Sequence, residues 1–267
     1  MLYKIGDVAK LIGITPEAIR NYEREGLIKP QKDENSGYRY FSSWDMHILI
    51  NTRQYRQFYY SIADIYKMFS EDEYEILNIV KKQEDIIQDI IFKNIILLKY
   101  MRKSKEVLRD ALEYIDKFKL VQSPDVYRID MQNGYNLLTD KNIIKIARSW
   151  IENPPFYYSS SLFSEEDIKN KVDRFSFGLC IEKEYFNLLN MKNNENIKYI
   201  DSKYCLYTVF LSSTDEVLGL NKLKPAFDYM KTKGLKHKGD IFTRVLFTKK
   251  VEDKYITYHE TFIPIEI

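Results

Sequence analysis

Arg20 and Asn21 are neighbours in the run PEAIRNYER, and Tyr38, Arg39 and Tyr40 follow a glycine in the run GYRYF. Arginine donates to phosphate oxygens or to a guanine edge and asparagine can pair bidentately with adenine, so the first pair suits a DNA groove. A guanidinium between two phenolic hydroxyls suits phosphate oxygens, contacts that position a protein on a duplex without reading its sequence.

The elements that must hold these groups follow from spacing. Ile5, Val8, Ala9, Leu11 and Ile12 form one apolar stripe of a first helix, which Gly13 ends. Thr15-Pro16 is a start signal for a second helix, because the Thr15 hydroxyl can accept from a free backbone N–H and proline has none to lose. Ala18, Ile19 and Tyr22 then face a small core, leaving Glu17, Arg20, Asn21 and Arg24 outside. Gly26 stops this helix, Leu27, Ile28 and Pro30 make a short arm, and a polar turn from Gln31 to Gly37 leads into a strand from Tyr38 to Phe41. Lys and Arg barely outnumber Asp and Glu over residues 1–70, so any grip on a polyanion must come from clustered placement.

At these positions the chain resembles the MerR family of bacterial transcription regulators. The resemblance runs through Tyr3 to Ala9, Thr15 to Glu23, Gly26 to Pro30 and Gly37 to Phe41, and continues into a second helical pair, Trp44 to Phe58 and Ile62 to Phe69. It implies a winged helix-turn-helix with DNA contacts from Thr15, Arg20, Asn21, Tyr22, Tyr38, Arg39, Tyr40 and Arg56. The implied partners are double-stranded promoter DNA at a pseudo-palindromic site, a second copy of the chain, and RNA polymerase at the promoter. Two residues depart from the family: Tyr59 replaces a glycine and Phe41 a wing tyrosine.

With 267 residues and a net charge of +2, the chain is long enough for more than one domain. Asp7 and Lys10 interrupt the start, so a signal sequence is not expected, and the most apolar stretch, Ile86 to Met101, carries too many polar groups to span a membrane. A cytoplasmic location is expected. Cys180 and Cys205 lack Cys-x-x-Cys or Cys/His spacing and read as buried free thiols, which argues against a metal or redox sensor.

From about Ser70 to Phe118 the chain has neither Gly nor Pro, and Ile76, Ile79, Val80, Ile86, Ile87, Ile90, Ile91, Leu97, Leu98, Met101, Leu108, Leu112 and Ile115 recur mainly at spacings of three and four. One long helix with a coiled-coil seam is expected, with Gln83, Asn94 and Ser104 setting its register. The resemblance implies that it pairs antiparallel with its mate.

Ser123-Pro124 opens the second half. Strands are expected at Val126–Met131, Phe156–Phe163, Arg174–Phe186, Ile197–Leu211, Asp240–Phe247 and Tyr255–Ile267, with helices at Asp140–Trp150 and Leu218–Lys233. This half resembles the gyrase-inhibitor-like effector domain of the family's multidrug-sensing branch, a duplicated strand-helix-strand unit with a pocket between halves. The expected class is therefore α+β: a winged helix-turn-helix over 1–70, a dimerisation helix over 71–119 and an antiparallel-sheet effector-binding domain over 120–267. In that branch an acidic residue helps hold cationic drugs, and Thr243, followed by Arg244, stands at the matching position here. Candidates for touching a small hydrophobic effector are Tyr157, Tyr158, Tyr207, Tyr229, Phe242, Thr243, Tyr258 and Glu260.

No catalytic residue, metal or cofactor is expected. His47, His237 and His259 are dispersed, and Glu182 and Glu260 read as isolated carboxylates. A ligand-responsive regulator that distorts its promoter is the leading expectation. A repressor whose C-terminal domain is only structural or protein-binding is the alternative.

Overall fold

The computed structural model describes residues 2–152, 156–216 and 218–266. The chain divides into two compact units, Met1–Ile96 and Leu97–Ile267.

In the first unit, strand β1 (Tyr3–Lys4) leads into α1 (Ile5–Ile12) and α2 (Pro16–Arg24), and β2 (Gln31–Lys32) and β3 (Arg39–Phe41) form the wing. The three strands pair in the order β1-β3-β2. Helices α3 (Ser43–Gln57) and α4 (Ile62–Ser70) follow, and α5 (Glu73–Glu113) continues from this unit into the second. Thr15 caps α2, Ser61 caps α4, and Ser42 with Asp45 forms a reciprocal capping box on α3. Val8, Ala9, Ile12, Ile19, Ile28, Phe41, Met46 and Leu49 make the core. Leu11, expected in the same stripe, instead points to solvent at 76% exposure. Phe41 is fully buried, so a tyrosine hydroxyl there would sit in the core rather than at a phosphate.

Gln83 is not a register residue: it is buried, and its side-chain amide donates to the Phe58 carbonyl at 2.7 Å. Asn94 turns back to the Ile90 carbonyl of its own helix. Ile79 packs with Leu27, Tyr60 and Ile65, whereas Leu77, Val80, Ile91, Phe92 and Ile95 remain exposed. The helix is 41 residues long, shorter than expected at both ends. Its C-terminus yields to sheet pairing: Asp116 donates to the Val209 carbonyl, Val209 donates to the Tyr114 carbonyl, and Asp116 takes a left-handed φ of 54°.

The second unit carries β4 (Lys119–Gln122), β5 (Val126–Asn133), β6 (Asn136–Leu137), α6 (Lys141–Ile151), β7 (Tyr157–Phe163), α7 (Glu165–Lys169), β8 (Ser176–Glu182), α8 (Lys183–Leu188), β9 (Lys198–Ile200), β10 (Tyr204–Ser213), α9 (Lys224–Thr232), β11 (Ile241–Val251) and β12 (Lys254–Pro264). The strands form one nine-stranded sheet, β4-β10-β12-β11-β7-β8-β5-β6, with β9 also on β5. Its pairings are antiparallel. The α+β class holds, but several expected boundaries move. The run Arg174–Phe186 is strand only to Glu182, because α8 buries Tyr185 and Phe186 on a helical face. Ile197–Leu211 is two strands, and Leu218–Lys233 begins with a 3₁₀ turn at Leu220–Leu223 before α9. Short β4, which was not among the expected strands, exists because it pairs with β10.

Candidate functional site

In the first unit, α2 and the wing present the expected polar groups. Thr15 is spent structurally, its hydroxyl accepting from Ala18 N at 3.1 Å. Tyr22 is half-buried and packs against both apolar clusters of the unit. Arg20 is exposed and pairs with Glu17 at 3.2 Å, while Arg24 bridges Glu17 and the Asn21 side-chain oxygen, each at 3.2 Å. Exposed pairs of this kind contribute little and release readily to a stronger anion. Arg39 differs: its Nε donates to Glu23 at 2.6 Å, a contact sixteen residues apart that ties the wing to the second helix. Tyr38 is exposed, with its ring 5.6 Å from that of Tyr40. Arg56 is exposed, but its Nη1 donates to the Tyr60 carbonyl at 2.6 Å and so closes the turn between α3 and α4. That turn holds Tyr59 at φ 66°, a left-handed conformation in which glycine has no steric cost.

In the second unit, strand alternation puts Phe242 and Arg244 on one face of β11, and Tyr258, Glu260 and Phe262 on one face of β12. Arg244 lies directly across from Glu260. Its Nε donates to Glu260 Oε2 at 2.8 Å, its Nη2 lies 2.6 Å from the same oxygen, and its Nη1 donates to Glu182 Oε1 at 2.6 Å. Lys103, from α5, donates to the other Glu182 oxygen. The guanidinium carbon stands 4.6 Å from the Tyr158 ring centroid and 5.5 Å from that of Phe262. Arg244, Glu182 and Glu260 are all buried. Burial alone would lower the Arg244 pKa, but the facing Glu260, Tyr158 and Glu182 outweigh it and hold the guanidinium well above its ordinary value. Burial likewise works against the Glu182 charge, and Arg244 and Lys103 reverse the balance, holding its pKa low.

Around this cage the structure gathers Tyr158, Tyr207, Phe242, Glu260 and Phe262. Phe242 stacks on Phe262 at 4.9 Å and Tyr207 meets it edge-on at 5.5 Å. Beside it lies a cavity of about 360 Å³ lined by Tyr100, Ser104, Val107, Leu108, Tyr157, Tyr158, Ser159, Val245 and Leu246. Tyr157 therefore borders the cavity and Tyr158 borders both. Tyr258 packs at 4.1 Å on Phe247. Two candidates fall elsewhere. Tyr229 stacks on Phe118 at 4.5 Å in a different apolar cluster, and the buried Thr243 hydroxyl accepts from Ser161 N at 3.2 Å. The sequence reading missed Arg244, Glu182 and Lys103 as members of one site. The alternation of Phe242 and Arg244 was the available signal for the first; nothing local marked the other two.

Both thiols are buried, which pushes each pKa up to about 11. Among the described residues no group of three or more His, Cys, Asp or Glu is placed to hold a metal, and no helix is long and apolar enough to cross a membrane.

A helix-turn-helix followed by a wing is the class that the first unit defines. Residues 4–41 match the MerR family regulatory protein model. An HTH-type transcriptional regulator of Pseudomonas aeruginosa is 36% identical over 66 residues, 25% of this chain and 50% of that protein. The regulator ZntR of Escherichia coli is 26% identical over 113 residues, 41% of this chain and 80% of ZntR. The chain thus spans about half the length of the Pseudomonas relative. Among solved structures, the EcmrR-DNA complex covers 99% of both chains at 17% identity and a TM-score of 0.37.

Proposed function

We propose that the chain is a dimeric, ligand-responsive, non-catalytic transcription regulator of the cytoplasm, with three domains over 1–70, 71–119 and 120–267. The observation that carries the DNA reading is the Arg39–Glu23 pair at 2.6 Å, which sets a wing guanidinium beside the outward face of α2. Arg39 and Arg56, with Tyr38 and Tyr40, are assigned to phosphates, and Arg20 and Asn21 to base edges. The exposed apolar residues of α5 support pairing with a second copy, which would place two wings on a pseudo-palindromic promoter. RNA polymerase is the partner that a MerR-type regulator would address there.

In this reading the effector enters the second unit beside Tyr158, and its binding shifts the dimer between two shapes that differ in how far they bend and undertwist the promoter. Deforming DNA costs about 1–6 kcal/mol, so a modest ligand preference for one shape decides the outcome. The test is a promoter-topology footprint with run-off transcription on a long-spacer promoter: ligand should change DNA distortion and transcript yield far more than affinity. Simple release of DNA on ligand addition would defeat the distortion mechanism. A repressor with a merely structural second unit is the competing reading, favoured by the fact that both buried acids are already paired with Arg244 and Lys103. It predicts that no small molecule alters either readout.

A further inference from the structure

We infer that the cage of Glu182, Glu260, Tyr158 and Phe262 is a binding site for an organic cation that the chain fills with its own Arg244, so that the domain refuses external cations of guanidinium or quaternary type. The inference rests on reading the second unit as an effector-binding domain. Thr243 stands where the resemblance places an acid, yet acids are present, supplied by β8 and β12, and their occupant comes from β11.

Carboxylate oxygens meet the Arg244 guanidinium edge at 2.6–2.8 Å, and two rings lie within 6 Å of its central carbon. Carboxylates on the edge and aromatic quadrupoles on the face are the two ways proteins hold free organic cations, and here both act on one group. Charge balance supports the same reading: two buried carboxylates face one guanidinium and the Lys103 ammonium, so a second, external cation would arrive with no counter-charge and would have to displace Arg244. Room for a larger molecule lies next door. The cavity of about 360 Å³ shares the Tyr158 ring with the cage, and its size falls in the range of small-molecule pockets. Truncating Arg244 would therefore leave an acidic, ring-walled vacancy bordering an apolar cavity.

The experiment titrates the full-length wild-type chain and the variants Glu260→Gln, Arg244→Ala and Arg244→Ala/Glu260→Gln with N-ethylguanidinium and with tetraphenylphosphonium at low millimolar concentration, reading melting temperature and calorimetric heat. The expected result is no saturable response from wild type and a saturable one from Arg244→Ala, with Tm rising about 4 °C at ten times Kd. Adding Glu260→Gln should weaken that binding at least tenfold. Saturable cation binding by wild type that Glu260→Gln abolishes would overturn the inference. An Arg244→Ala chain that neither binds these cations when folded nor regains its fold in their presence would do the same, since Arg244, Glu182 and Glu260 would then be a fixed core ion triad. Promoter binding by wild type is scored separately: its absence would sink the regulator reading and leave the cage result standing.

Discussion

Tyr59 holds φ 66° between α3 and α4 while its ring is 66% exposed. An L residue in this conformation costs about 1–2 kcal/mol and the exposed ring returns little, so Tyr59→Gly should stabilise the first unit by about 1 kcal/mol after the extra chain entropy of glycine is counted. Urea denaturation checks it, and a loss of stability would show that the ring does more than its exposure suggests. His259 is a second residue-scale case. Its Nε2 lies 2.8 Å from Ser212 Oγ, its ring stacks on Phe210 at 4.7 Å, and its Nδ1 is buried without a partner. Burial, helped by the nearby charge of Lys222, lowers its pKa to about 4. Above pH 6.5 both folded and unfolded forms are neutral; as pH falls, the unfolded chain takes up the proton first. Stability should therefore drop by about 3 kcal/mol between pH 7 and pH 4 from this group alone. The low pKa of Glu182 adds a loss further down, as pH falls below the ordinary carboxylate value and through its own. A His259→Gln chain should show a flatter profile between pH 6.5 and 4, and an unchanged slope would refute the assignment.

At the scale of elements, β5 meets β8 with Asp130 opposite Gly178 and Gln132 opposite Phe177, leaving Met131 as the extra residue of a bulge. A Cβ built on Gly178 would lie 1.9 Å from the Ile129 carbonyl oxygen. Backbone cannot give way as a flexible side chain can, so Gly178→Ala should cost about 3 kcal/mol or more and lower Tm by several degrees. A fully stable alanine variant would mean that the two strands can part without loss. The turn between α3 and α4 has a linked consequence. Arg56 caps it through the Tyr60 carbonyl, so Arg56→Ala should lose about 1 kcal/mol of stability as well as DNA affinity. Arg39→Ala opens no turn but releases the wing from Glu23: affinity should fall for all sequences alike and the salt dependence should flatten, whereas Asn21→Ala should change preference at one or two base pairs. Equal, sequence-independent losses in both would refute the division of labour.

For the whole molecule, the proposed dimer rests on α5. Ile91 and Ile95 are 54% and 62% exposed, so Ile91→Asp/Ile95→Asp should leave the fold intact. Burying unpaired carboxylates in a seam costs about 3–5 kcal/mol, which weakens dimerisation by about a hundredfold or more. Light scattering at micromolar concentration measures it, and a variant as dimeric as wild type would move the seam elsewhere.

The winged module was legible in the linear chain because its signals are local: Thr15-Pro16, Gly13, Gly26 and the Gly37-Tyr38-Arg39 tip act within a few residues, where capping, turn geometry and helical periodicity decide the outcome. The continuity of α5 was legible for the same reason, but its end was not, since pairing of Ile115 with Val209 stops it. In the sheet domain, alternation marked strands without giving their order. Which acid faces which base therefore stayed hidden. Lys103, Glu182, Arg244 and Glu260 are drawn from a helix and three strands, and the three buried ones, Glu182, Arg244 and Glu260, meet only when the strands that carry them pair and exclude water. Local propensity has a range of a few residues. A buried charge answers to whatever the completed fold places against it.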